Sequence, residues 1–264
     1  MVARVAIYQV DAFTSQVFSG NPAAVCPLEE WLQDDVMQAI AAENNLSETA
    51  FFVKEDDRYR IRWFTPVDEV DLCGHATLAT AYVIFEYLDK KVDEIHFVSK
   101  SGPLSVRKKD GLITLDFPSK PPVGCSAPAE LIRGLGSKPQ EILCADDYFV
   151  LYASEDDIKA ITPDMEVLKR LELRGVIVTA PGKSVDFVSR FFAPRLGVDE
   201  DPVTGSAHCT LIPYWSKRLN KNRLNARQLS SRGGELHCED RGDRVLISGR
   251  AIEYMKGEIT AIIE

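Results

Sequence analysis

Residues 62–76 read Arg62-Trp63-Phe64-Thr65-Pro66-Val67-Asp68-Glu69-Val70-Asp71-Leu72-Cys73-Gly74-His75-Ala76, and the chain repeats this text further on. Arg190, Phe192 and Pro194 keep the spacing of Arg62, Phe64 and Pro66. After an insertion of three residues, Val198-Asp199-Glu200 matches Val67-Asp68-Glu69, and Gly205-Ser206-Ala207 matches Gly74-His75-Ala76. Each copy runs into an apolar stretch. Two copies at long spacing do not make a solenoid, which stacks several short units. They predict two similar half-domains facing each other, with a small-molecule site in the cleft.

Working outward, His75–Leu88 is apolar nearly all round, the mark of a helix buried on every side. The second copy predicts its counterpart at Gly205–Leu219, more polar towards its end. Strands are expected at residues 4–10, 23–26, 49–53, 59–64, 95–99, 102–107 and 112–117, from alternation bounded by turn residues. Helical spacing covers Leu28–Asn44. In the second half, helices are expected at 129–135, 154–160 and 163–171, with Ser154 and Thr162 as N-caps. Strands are expected at 141–145, 148–153, 175–180, 184–192, 227–232, 235–239 and 244–248. Pro118–Pro128, rich in Pro and Ser, is the linker candidate. The expected fold is α+β: two pseudo-symmetric lobes, each a curved, mostly antiparallel sheet wrapped round a central buried helix. The lobes divide as 1–118, completed by a C-terminal strand at about 250–264, and 119–249.

The 264 residues suffice for this plan, and 45% apolar with 27% charged residues excludes a disordered or fibrous chain. A net charge of −9 with no Lys/Arg-rich block argues against a nucleic-acid partner. The opening residues alternate like a strand and lack the core of a signal peptide. No apolar run is long enough for a membrane span. A cytoplasmic address follows as the expectation. There the six cysteines, none in a Cys-x-x-Cys pair, are expected to be free thiols.

The chemistry gathers at the repeated turns. Gly74 and Gly205 each open a helix, whose N-terminus offers free N–H groups and partial positive charge to an anion. Cys73 and Thr204 stand at equivalent positions just before them; a thiol at a helix start is expected to have a lowered pKa. Thr204 is no base near neutral pH, which disfavours a two-thiol racemase. His75 follows the repeated Gly and could donate to a carboxylate or shuttle a proton, although a lone histidine is more often structural. Glu48 lies where a helix exit meets an apolar strand, a place suited to an acid or base. On local sequence alone a solvated cap is the stronger reading of it. Asp201 follows Asp199 and Glu200, and such an acidic run is usually a solvated loop.

Together these segments resemble the phenazine-biosynthesis PhzF-like isomerases. The resemblance rests on Val10-Asp11-Ala12-Phe13-Thr14 with Gly20-Asn21-Pro22, Asn45-Leu46-Ser47-Glu48-Thr49-Ala50-Phe51, Arg62-Trp63-Phe64-Thr65-Pro66, Cys73-Gly74-His75-Ala76-Thr77, and Glu200-Asp201-Pro202-Val203-Thr204-Gly205-Ser206-Ala207. It covers essentially the whole chain in order. It implies the diaminopimelate-epimerase fold, no metal or organic cofactor, and a homodimer. It also implies Glu48 as the acid/base, with His75, Asp201 and Ser206 lining the site. Cys73 and Thr204 resemble the pairing of hydroxyproline dehydratases more than the two thiols of the epimerases.

The leading expectation is therefore an isomerase that moves a proton on a small carboxylic acid. Glu48, His75 and Asp201 are its catalytic residues; Cys73, Gly74, Ala76, Thr204, Gly205 and Ser206 bind substrate; no metal takes part. One alternative is a Cys73-dependent epimerase or dehydratase of an amino or imino acid. Another is a non-catalytic binding protein on the same scaffold.

Overall fold

The computed structural model describes residues 2–262. They form two compact units, residues 2–116 with 248–262, and residues 117–247.

The first unit opens with β1 (Val2–Ala12) and β2 (Asn21–Leu28), followed by α1 (Asp34–Asn44), β3 (Glu48–Glu55), β4 (Arg58–Phe64) and β5 (Glu69–Val70). The buried helix α2 (Gly74–Val83) then leads to β6 (Glu94–Ser99), β7 (Gly102–Lys109) and β8 (Leu112–Pro118). β1 pairs antiparallel with β2 and with the closing strand Ala251–Ile262. β2 and β3 run parallel, β3 and β4 antiparallel, β4 and β5 antiparallel, β4 and β6 parallel, and β6, β7 and β8 antiparallel. Ala23–Cys26 is buried on both faces because α2 and α1 cover opposite sides of the sheet. On the α1 side, Met37 and Ala41 pack with Val5, Ile7, Ala24, Cys26, Phe51 and Phe64.

Helix α2 has almost no polar face, and β1, β2, β3 and the closing strand surround it. Its two buried threonines are satisfied locally: Thr77 Oγ1 donates to Cys73 O at 2.5 Å and Thr80 Oγ1 to Ala76 O at 2.7 Å. The α-helix stops at Val83, short of the expected Leu88. Ile84–Leu88 widens into a π-turn in which Asp89 N–H reaches Ile84 O at 2.7 Å.

The second unit repeats the plan. It comprises β9 (Val123–Gly124), α3 (Ala129–Leu135), β10 (Glu141–Cys144), β11 (Tyr148–Leu151), α4 (Glu155–Ala160), α5 (Met165–Leu168), β12 (Val176–Pro181), β13 (Phe187–Ala193), β14 (Val198–Glu200), α6 (Gly205–Leu219), β15 (Arg223–Gln228), β16 (Gly234–Asp240) and β17 (Arg244–Gly249). β11 and β12 run parallel, β12 and β13 antiparallel, β13 and β14 antiparallel, β13 and β15 parallel, and β15 and β16 antiparallel. This is the pairing order of β2 to β7, strand for strand. The inserted Arg195, Leu196 and Gly197 continue Pro194 into a 3-10 turn, Pro194–Leu196, that ends at Gly197 with φ +82°. With that turn absorbed, Phe192 faces Glu200 as Phe64 faces Glu69.

The repeated Arg and Glu prove to be partners. Arg62 holds Glu69 through two hydrogen bonds of 2.8 Å, and Arg190 holds Glu200 at 2.7 and 3.0 Å. Arg190 also donates to the carbonyls of Ile158 and Ile161, tying down the end of α4.

Four expectations need correction. The first helix begins at Asp34, because Leu28 still pairs with Val53 as the end of β2. The cap at the second short helix is Asp164, whose carboxylate accepts Val167 N–H at 3.1 Å, and not Thr162. The strand placed at 227–232 runs Arg223–Gln228, where Leu224, Ala226 and Gln228 alternate inward. Finally, not all cysteines are free. Cys125 and Cys144 form a disulfide, because β9 and β10 pair antiparallel at Val123–Cys144 and Gly124–Leu143 and bring the two Cα atoms within 5.8 Å. Cys26, Cys73, Cys209 and Cys238 are free and buried.

Helix α6 carries Pro213 in its interior. A proline there has no N–H for the carbonyl four residues back, which is that of Cys209. The backbone N–H of Lys120 supplies the missing donor, at 2.9 Å from Cys209 O. The stretch read as a linker is thus docked on α6 and stapled to β10. Among the described residues, no helix is long and apolar enough to cross a membrane.

Candidate active site

In the first unit, two strands and one helix start bring the site together. Helix α1 ends at Asn45, in the left-handed region at φ 49°, and Asn44 Nδ2 donates to Thr49 Oγ1 at 3.1 Å. That exit places Glu48 at the first position of β3, in register with Ala23 of β2. Asn21 stands two residues before Ala23, on the same face. Gly20 precedes it at φ +66°, where an added Cβ would meet Ala12 O at 2.1 Å. Only glycine fits there, and the turn presents Asn21 to the site.

Cys73 is the N-cap of α2 and His75 lies in its first turn; both are buried. Asn21 Nδ2 lies 3.1 Å from His75 Nδ1, and Cys73 Sγ lies 3.5 Å from the same nitrogen. On the other side of the ring, Nε2 lies 3.1 Å from Glu48 Oε2. The Glu48 side chain keeps 18% of its surface exposed, against 5% for His75. Glu48 is thus the member of the cluster open to a substrate.

Burial alone lowers the His75 pKa, but Cys73 and Glu48 outweigh it through charge and hydrogen bonding, and the net shift is well upward. The Cys73 thiol moves the wrong way for a nucleophile or base. Burial first, and then the Glu48 charge, push it up to about 11, against the pull of His75 and of the helix start. The expected lowering of its pKa is therefore overturned.

The second unit holds a different cluster at the matching place. Thr204 is the N-cap of α6, and its hydroxyl donates to Asp201 Oδ2 at 2.5 Å. Gln228 on β15 locks this arrangement. Its Oε1 accepts Thr204 N–H at 2.9 Å, and its Nε2 reaches Asp201 O at 2.8 Å and Thr204 Oγ1 at 3.1 Å. Asp201 is therefore a held group and not part of a solvated run. Gly205 is buried and Ser206 half-buried in the first turn. One turn on, His208 donates from Nδ1 to Thr204 O at 2.8 Å, as Thr77 does to Cys73 O. Burial drops its pKa to about 4, so it is neutral.

The structure thus joins Glu48, Cys73 and His75 with Gly74 and Ala76 at the start of α2, and Asp201 and Thr204 with Gly205 and Ser206 at the start of α6. It adds Asn21 and Gln228, which sequence reasoning missed as site residues. Asn21 was visible only within Gly20-Asn21-Pro22, one of the segments that carry the resemblance. Gln228 carried no local signal at all.

The model of the phenazine biosynthesis-like protein family, PhzC-PhzF, matches residues 10–257. An uncharacterized isomerase of Pseudomonas aeruginosa is 54% identical over 253 residues, covering 96% of this chain and 98% of that one. The crystal structure of a PhzF-family phenazine biosynthesis protein from Enterococcus faecalis superposes with a TM-score of 0.95 at 53% identity, over 97% of this chain and 99% of that one. A hydroxyproline epimerase from Agrobacterium vitis shares the fold at a TM-score of 0.65 and 10% identity, over 99% of this chain and 93% of that one.

Proposed function

Since the chain belongs to the PhzC-PhzF family of phenazine biosynthesis-like proteins, we propose that it is an isomerase that shifts a proton on a small carboxylic acid without a cofactor, with Glu48 as the acid/base. The observation that carries this reading is the half-open Glu48 carboxylate 3.1 Å from Nε2 of buried His75. Its membership and its relatives support an isomerase- or epimerase-like activity in general; the particular reaction is argued from the cluster.

The substrate carboxylate sits on the backbone N–H groups that follow Gly74, where the helix start favours negative charge. Glu48 takes a proton from an activated carbon of the substrate. The electron pair left behind spreads towards the carboxylate, and the charged His75 beside it stabilises the developing anion. Glu48 then returns the same proton at another carbon. The step is redox-neutral and consumes no co-reactant. In the second unit, Asp201 and Gln228 hold Thr204 in place.

A thiol-based epimerase or dehydratase needs Cys73 as a thiolate, and its pKa of about 11 works against that. The matching Thr204 donates its hydroxyl hydrogen bond to Asp201 and offers no second base.

The test is solvent deuterium uptake, followed by NMR, into cyclohexadiene acids, amino acids and hydroxyprolines. Wild type is expected to label one class, and Glu48→Gln to label it about 100-fold more slowly or worse. Uptake that survives Glu48→Gln but is lost in Cys73→Ser would transfer the role to the thiol. No uptake into any class would favour a binding protein.

A further inference from the structure

The Cys125–Cys144 bridge differs from the other cysteines in where it lies. Cys26, Cys73, Cys209 and Cys238 are free and buried, whereas Cys125 is exposed and Cys144 half-buried. A thiol in solution can therefore reach Sγ of Cys125, while the four free thiols are shielded. The segment that the bridge holds, residues 119–128, is fastened lightly. Its strand, β9, meets β10 at two positions, Val123–Cys144 and Gly124–Leu143. So short a ladder is marginal in water. Val123 is 65% exposed, so its side chain stays outside the core. Upstream, Ser119 N–H donates to Asp243 O and Lys120 N–H to Cys209 O, each at 2.9 Å, and Lys120 forms an exposed ion pair with Asp146. Exposed pairs of that kind contribute little. Downstream the chain turns into α3, where Leu131 and Leu135 are locked in the core. The bridge thus stands between a firmly packed helix and a loosely tied strap.

We propose that Cys125–Cys144 is a redox-operated clasp, opened by a dithiol, whose opening releases residues 119–126 from β10 and α6. One thiolate of the dithiol attacks Sγ of Cys125, the S–S bond breaks, and Cys144 departs as a thiolate. The second thiol of the reductant then attacks the mixed disulfide and frees Cys125. Two electrons pass to the protein. The two thiol hydrogens of the reductant end on Cys125 and Cys144, and the reductant is left as a disulfide. The strap matters to α6 because Lys120 supplies the donor that Pro213 denies to Cys209 O. With the strap lifted, that carbonyl is left to water, and the helix that starts after Thr204 loses its outside support at that turn. Opening of the clasp involves no part of the Glu48 chemistry, so the two readings stand or fall separately.

The experiment compares the full chain, oxidised, with the same chain after native incubation with dithiothreitol. Thiols are counted by alkylation and mass, and amide exchange is read segment by segment. Reduction is expected to add two alkylated thiols, Cys125 and Cys144. It is also expected to speed exchange across residues 119–126, the Lys120 amide included, by roughly tenfold or more, while β12 and β13 keep their protection. Reoxidation should restore the slow exchange. Cys125→Ser is expected to exchange fast without reductant and to ignore the dithiol. A bridge that resists the dithiol in the folded chain overturns the proposal, and this outcome needs no variant to fold. Exchange across 119–126 that is the same in both redox states overturns it too, because the other contacts would then suffice to hold the strap. Acceleration that spreads equally through β12 and β13 also overturns it, because the bridge would then hold the whole unit together.

Discussion

Nε2 of His75 lies 3.1 Å from Oε2 of Glu48 inside a nearly closed shell of protein, and this contact, with Cys73 at the other ring nitrogen, raises the pKa of the imidazole. Burial pulls the imidazole towards neutrality, and Cys73 and Glu48 together reverse that pull. In the wild type, NMR of the imidazole should show His75 titrating above 6.5, the ordinary value. In Glu48→Gln the share of the rise that the carboxylate supplies is lost, and the same titration should fall. The linkage has a definite sign. Between 6.5 and the raised value the folded chain holds a proton that the unfolded chain has lost. The stabilisation is therefore full below about pH 6.5 and disappears as pH rises through the native pKa. A His75 titration that ignores Glu48→Gln would show that the contact does not govern the ring.

His208 should behave in the opposite way. Its native pKa is lowered to about 4 by burial, so between 4 and 6.5 the unfolded chain binds a proton that the folded chain refuses. Stability is then lost as pH falls through this window, by about 1.4 kcal/mol per pH unit for this group. His208→Asn keeps a donor near Thr204 O and removes the titration. Denaturant melts from pH 4 to 7 should have a shallower acid slope in that variant. An unchanged slope would assign the acid sensitivity to other groups.

Much of this was legible in the text of the chain, and for physical reasons. A helix with no polar face, such as α2, must be surrounded, and a strand buried on both faces, such as β2, must have a layer on each side. The repeat named Arg62 and Arg190, Glu69 and Glu200, although not that each Arg grips its own Glu. The site was half legible. Glu48 and His75 stand in the recognisable segments, but the contact between them depends on β2 and β3 lying side by side. Asn21 reaches a residue 54 positions away and Gln228 one 24 away, and no local pattern carries that information. The disulfide spans 19 residues without a motif, and the thiol pKa was misjudged because the helix start was weighed without the burial around it.

The repeated ion pairs invite a direct comparison with a surface pair. Arg62 and Glu69 keep only 20% and 13% of their side chains exposed, and Arg190 and Glu200 13% and 23%. Removing Arg190 strands Glu200 in a partly dry place, at a cost of roughly 3 kcal/mol, whereas Glu69 still has Lys100 at 2.6 Å when Arg62 is removed. Arg190→Ala should cost that much in urea melts, and more than Arg62→Ala, because it also frees the carbonyls of Ile158 and Ile161. Arg4→Ala, which breaks an exposed pair with Glu258, should cost about 1 kcal/mol or less. Equal losses at all three positions would mean that the repeated pairs are ordinary surface contacts.

The docking of Lys120 on α6 makes the last prediction, because a missing donor in one element is met by a spare donor in another. Pro213 cannot supply the N–H that Cys209 O awaits, and Lys120 supplies it from outside the helix at 2.9 Å. Pro213→Ala restores the helical donor, which then competes for the same carbonyl. The Lys120 amide should exchange with solvent faster in Pro213→Ala than in wild type, although the helix itself gains a good helix former. Conversely, Lys120→Pro leaves Cys209 O unsatisfied and should cost about 1–3 kcal/mol in wild type. In the Pro213→Ala background the helix meets its own need, and the same substitution should cost much less. If the two substitutions simply add, the carbonyl of Cys209 is not what joins them, and the segment is held on α6 by something else.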